Sequence, residues 1–130
     1  RRPGSSAWFE RGLVTYSNAA KQQLLGVQQK LLDRHGAVSG ECARAMAAGL
    51  LTRAPVQWTV AITGIAGPGG GTRDKPVGTV WIAWAGGGRP AAKRYRFSGS
   101  RGEIRSQAAI AALAGLLKRM ESPNGTRRST

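Results

Sequence analysis

Thr63-Gly64-Ile65-Ala66-Gly67-Pro68-Gly69-Gly70-Gly71-Thr72, continued by Lys75-Pro76-Val77-Gly78-Thr79-Val80, lies between two apolar, β-branched runs, Val56 to Thr63 and Val77 to Ala85. Runs of this kind read as strands of the sort buried on both sides. A glycine-rich segment at a strand's end can present several N–H donors to an anion, because glycine tolerates positive φ and close approach of the backbone. It also reads as a surface turn. Neither a P-loop nor a GxGxxG pattern opening onto a helix is present.

Outward from this stretch, Gly86-Gly87-Gly88-Arg89-Pro90 turns the chain. Ala91 to Phe97 returns as a third strand, antiparallel to the second because the turn is short. Lys93, Tyr95 and Phe97 fall on one face, Arg94 and Arg96 on the other. A last helix runs from about Arg101 to Met120, with Ile104, Ala108, Ala111 and Leu116 inward. Upstream, Ser39 caps a helix carrying Ala43, Met46, Ala47, Leu50 and Leu51 on one face, which stops before Pro55. Two short helical pieces break near Gly26, and Gly36 follows the second as a C-terminal glycine. Trp8 to Tyr16 reads as a further strand. The order predicts an α/β fold: a three-layer, mixed sheet with helices on both faces. Residues 1–121 form one domain and 122–130 a polar tail.

Composition narrows the class. The 130 residues carry 20 basic and 6 acidic side chains, a net charge of +14. The basic residues are spread along the chain, with one dense internal cluster at Lys93-Arg94-x-Arg96. The charge favours anionic small molecules; sequence-specific nucleic-acid binding is not expected, since no helix-turn-helix or RNA-binding signature is present. No apolar run is long enough to span a bilayer, so no membrane partner is expected. A single cysteine, Cys42, rules out an internal disulfide or a Cys-based zinc cluster, and reads as a buried filler. These features fit a cytoplasmic protein. The opening Arg1-Arg2-Pro3-Gly4 reads as a cut, with the missing part holding another strand and helix.

Three places carry chemistry. Tyr16-Ser17-Asn18-x-x-Lys21 sits at a strand-to-helix junction. There a lysine can act as base for a hydroxyl nucleophile if its pKa is lowered. The spacing alone reads first as a solvated first-turn lysine beside a core-edge tyrosine. His35, the single histidine, reads as a helix-end residue. Arg101 and Arg105 share a face at the start of the last helix. Positive charge is unfavourable there unless an anion binds, with Glu103 a partial offset.

Gly4-Ser5-Ser6-Ala7-Trp8-Phe9-Glu10-Arg11-Gly12, Val14-Thr15-Tyr16-Ser17-Asn18-x-x-Lys21, His35-Gly36-Ala37-Val38-Ser39 and the Thr63 to Val80 stretch together resemble the CinA C-terminal domain family. Its stand-alone bacterial members are nicotinamide-nucleotide amidases. The resemblance runs from about Gly4 to Met120. It implies hydrolysis of the carboxamide of nicotinamide mononucleotide to nicotinic acid mononucleotide and ammonia, in pyridine nucleotide salvage, without a metal or other cofactor. Lys21 would be the base and Tyr16 its partner. Gly64, Ile65, Ala66, Gly67, Pro68, Gly78 and Thr79 would line the nucleotide pocket, with Arg101 and Arg105 as phosphate ligands. A homodimer is a further implication. The family's Glu-Ser-Cys-Thr-Gly-Gly-like segment, which carries the expected serine nucleophile, is absent from these 130 residues. The alternative is therefore a noncatalytic nucleotide-binding module. Loss of that segment's helix and strand would leave the chain marginally stable alone.

Overall fold

A computed structural model describes residues 25–121. Helices α1 (Gln29–His35) and α2 (Gly40–Arg53) precede strands β1 (Thr59–Gly64), β2 (Thr79–Ala85) and β3 (Ala91–Arg96), and α3 (Arg101–Glu121) closes the order. The strands form a sheet in the order β1-β2-β3. Both pairings are antiparallel, with Thr59 opposite Ala85 and Thr79 opposite Arg96. Trp8 to Tyr16, on which the expected mixed character rests, lies outside the described residues.

Side chains alternate across a strand, so one sheet builds two cores. Ala61, Ala83 and Ala85 face α1 and α2, packing with Leu32, Cys42, Ala43, Met46 and Ala47. Val80, Ile82 and Trp84 face α3, packing with Ile104, Ala108 and Ala112. The described architecture is thus helix, sheet, helix, the α/β layering expected of the sequence. Cys42 is fully buried among the apolar side chains of α2, as a filler.

Local chemistry fixes the helix ends. Ser39 Oγ accepts the Cys42 N–H at 3.1 Å and caps α2, with Glu41 in the first turn. Gly36, at φ 82, ends α1 and donates its N–H to Leu32 O. Leu25 is the last helical residue before Gly26, which sits at φ 73, so the break near Gly26 is present.

Three strand expectations are corrected. The first strand starts at Thr59 rather than Val56, because the Val56 N–H turns back to Ala54 O at 2.8 Å just after Pro55. Nor is it buried on both sides: Ile62 is 40 % exposed, since among the described residues β1 lies at the sheet's edge. The doubly covered strand is β2, where only Trp81 is less than fully buried. It starts at Thr79 rather than Val77, because Pro76 and Gly78 shape a turn in which the Thr79 N–H donates to Pro76 O at 3.0 Å.

Candidate active site

The loop between β1 and β2 is folded on itself. Ile65 N–H donates to Thr79 O, and Gly78 N–H returns to Ile65 O at 2.7 Å. Across the tip, Thr72 N–H donates to Lys75 O, and Lys75 N–H to Thr72 Oγ1 at 3.1 Å. Gly67, Gly70 and Gly78 have φ of 81°, 93° and 97°, a region that suits glycine and few other residues. At Gly78 the need is strict, because a Cβ would fall 2.0 Å from Phe97 O. Gly69, Gly70 and Gly71 are exposed, and their N–H groups have no acceptor among the described residues. The loop therefore has free donors for an anion.

Elements distant in sequence are brought to this loop. Arg101, first residue of α3, donates from Nη1 to Gly67 O at 2.9 Å. The helix N-terminus and its positive end thereby meet the glycine loop. Arg105 stands one turn further along α3 and is exposed. Thr79 is buried, and its hydroxyl donates to Pro76 O at 2.6 Å, so this side chain shapes the loop from within. Gly64, Ile65, Ala66 and Pro68 occupy the rising limb, with Pro68 exposed. Lys21 and Tyr16 lie outside the described residues.

Three contributors were not singled out from the sequence. Lys75 reaches across to α1 and donates from Nζ to His35 O at 3.1 Å. Thr63 donates its hydroxyl to Ala37 O at 2.8 Å. Together they fasten the α1–α2 turn to the glycine loop. His35 itself has Nδ1 3.7 Å from Glu41 Oε1, consistent with a structural place. The third is Ser100, as the capping partner of Glu103. Glu103 N–H donates to Ser100 Oγ at 3.2 Å, and Ser100 N–H donates to Glu103 Oε1 at 2.7 Å. This reciprocal capping box was signalled by Ser100-x-x-Glu103 ahead of an apolar run. It explains how a helix can begin with two arginines: the Glu103 carboxylate answers the exposed N–H groups and the dipole. The Ser100 backbone N–H, and next the Ser100 side chain, hold the Glu103 carboxyl below its ordinary pKa, against a smaller opposing effect of desolvation.

Among the described residues no cluster of His, Cys, Asp or Glu could hold a metal ion, and no helix is long and apolar enough to cross a membrane.

Residues 1–120 match the CinA C-terminal domain family. The chain belongs to that family. This CinA domain is 52% identical over 118 residues to the nicotinamide-nucleotide amidohydrolase PncC of Pseudomonas putida, covering 91% of this chain and 74% of that protein. It is 53% identical over 114 residues to PncC of Escherichia coli K12, covering 87% and 69%. A CinA-like protein of Geotalea uraniireducens is 55% identical over 120 residues, which cover 92% of this chain and only 29% of that longer protein. Among solved structures, the competence/damage inducible protein CihA from Agrobacterium tumefaciens superposes with a TM-score of 0.79 at 43% identity. That match covers 81% of this chain and 65% of the solved one. The CinA domain here thus spans somewhat under two thirds of that solved chain.

Proposed function

We propose that this CinA domain belongs to an amidohydrolase that converts nicotinamide mononucleotide to nicotinic acid mononucleotide and ammonia. The observation that carries the reading is the meeting of Arg101 with the Gly67 loop, in a chain 52% identical to a protein named for that activity. The exposed amides of Gly69, Gly70 and Gly71 and the guanidinium groups of Arg101 and Arg105 supply a donor-rich, cationic setting for a phosphate. Lys21, paired with Tyr16, takes the proton of a serine hydroxyl as its oxygen adds to the carboxamide carbon. Backbone N–H donors stabilise the tetrahedral oxyanion. Its collapse breaks the C–N bond, the nitrogen takes the proton back, and ammonia leaves. Water then cleaves the acyl-serine, giving the carboxylate and restoring the hydroxyl.

The donor-rich loop joined by Arg101 suits a second reading as well, a nucleotide-binding module without turnover. One experiment separates the two: ammonia release from nicotinamide mononucleotide by the whole gene product, beside Lys21→Ala and Arg101→Ala variants. The amidase reading expects turnover in the parent, none in Lys21→Ala, and a raised KM in Arg101→Ala. A folded parent that binds the nucleotide in calorimetry but releases no ammonia would leave the binding module.

A further inference from the structure

A second concave surface lies at the other end of the molecule. Helix α3 packs over β1 and β2 and leaves the same face of β3 open. The trough between α3 and β3 encloses about 810 Å3 and ends at the β2–β3 turn. It sits at the Ala85–Ala91 end of the sheet, whereas the glycine loop sits at the Gly64–Thr79 end. Arg89, Lys93, Lys118 and Arg119 line it, together with the rings of Trp58 and Tyr95, and no carboxylate does.

Two of these cations are held by aromatic floors. Arg119 lies 4.2 Å from the centroid of the buried Trp84 ring and donates to Gly115 O. Lys93 lies 5.2 Å over Tyr95. None of the four pairs with a carboxylate among the described residues. Tyr95 stacks on Phe97, with centroids 5.3 Å apart, extending the aromatic row along β3. Trp58, expected in a strand, instead precedes β1 and stands half-buried at the trough's mouth. Four unneutralised cations repel one another unless an anion joins them. Cations along an open trough, with the half-buried Trp58 indole at its mouth, match a backbone of phosphates bearing stackable bases.

We propose that the α3–β3 trough binds single-stranded nucleic acid without sequence preference, phosphates along Arg89, Lys93, Lys118 and Arg119 and a base on Trp58. The expectation that no specific nucleic acid binds is compatible with this, because stacking and charge read no sequence. The site is separate from the proposed nucleotide pocket and its test reads no turnover.

The test is fluorescence anisotropy of a short labelled oligodeoxyadenylate with the 130-residue chain at about 0.15 M salt. Arg89, Lys93 and Lys118 are exposed, so their joint replacement by alanine leaves the packing alone. That triple variant is expected to bind at least tenfold more weakly, with the log–log salt slope flattened by about 2. A matched triple variant at Lys30, Arg34 and Arg94, also exposed, removes the same charge elsewhere and is expected to change affinity less than twofold. Trp58→Leu is expected to weaken binding fivefold or more, and Trp58→Phe to preserve it. Equal losses from the two triple variants would overturn the proposal, as diffuse charge predicts. So would binding that vanishes at this salt, or equal competition by adenosine monophosphate, which would make the trough a mononucleotide site.

Discussion

Gly78 and Ser100 show how single positions hold the candidate site. Gly78 sits at φ 97, and the space where a Cβ would stand is occupied by Phe97 O. Gly78→Ala is expected to destabilise the fold by at least about 2 kcal/mol, from backbone strain and the clash together; an urea titration reads it. Ser100 accepts from Glu103 N–H, so Ser100→Ala should cost about 1 kcal/mol. Glu103 adds a pH dependence whose sign follows from its lowered pKa. A carboxyl whose folded pKa lies below its unfolded value of about 4.3 stabilises the fold above that pH. The contribution is lost as pH falls through the folded value. Glu103→Gln is therefore expected to lower Tm at neutral pH, with the gap to the parent closing in acid. A gap that stays constant down through the carboxylate range would remove the charge from the account.

At the scale of elements, α3 offers an internal comparison. Gly115 has its Cα against Trp84, and an added Cβ would fall 2.3 Å from that ring. Trp84 is fixed in turn, since its Nε1 donates to Ala112 O at 3.0 Å. Helix propensity favours alanine over glycine by up to about 1 kcal/mol. At Gly115, overpacking should reverse this and cost about 1–3 kcal/mol. At Gly102 in the same helix, where only Ser100 Oγ lies as far as 4.0 Å away, alanine should stabilise. Opposite signs at the two positions in a denaturant titration are the expected outcome. The same element shows what the sequence could tell. Its start at Arg101 and its inward Ile104 and Ala108 were legible, because 3.6-residue periodicity is local. So was the pairing of β2 with β3 across a glycine turn. Which strand is central was not legible, because apolar β1 and β2 read alike and only the tertiary arrangement leaves Ile62 exposed. Nor was Lys75 bridging to His35 O, forty residues away, since no local pattern encodes a contact at that separation.

For the molecule as a whole, the outer side of α3 is the unusual surface. From Ser106 to Leu117 the helix carries no charged residue, in a chain whose net charge is +14. Ile110, Leu113, Leu117 and Met120 repeat at intervals of three and four, and all are at least half exposed. A helix apolar on its outer as well as its inner side is normally covered. Left open in water, such a stripe promotes association. Leu113→Gln with Leu117→Gln removes the middle of the stripe without touching Ile104, Ala108 or Ala112, which form the buried side. Exposed substitutions usually change stability by no more than about 0.5 kcal/mol, so the fold should persist with little shift in Tm. Light scattering on warming should fall sharply in the double variant. Scattering equal to the parent's, at equal helicity, would show that association runs through another surface; a large fall in Tm would show that the two leucines already bury apolar area within the single chain.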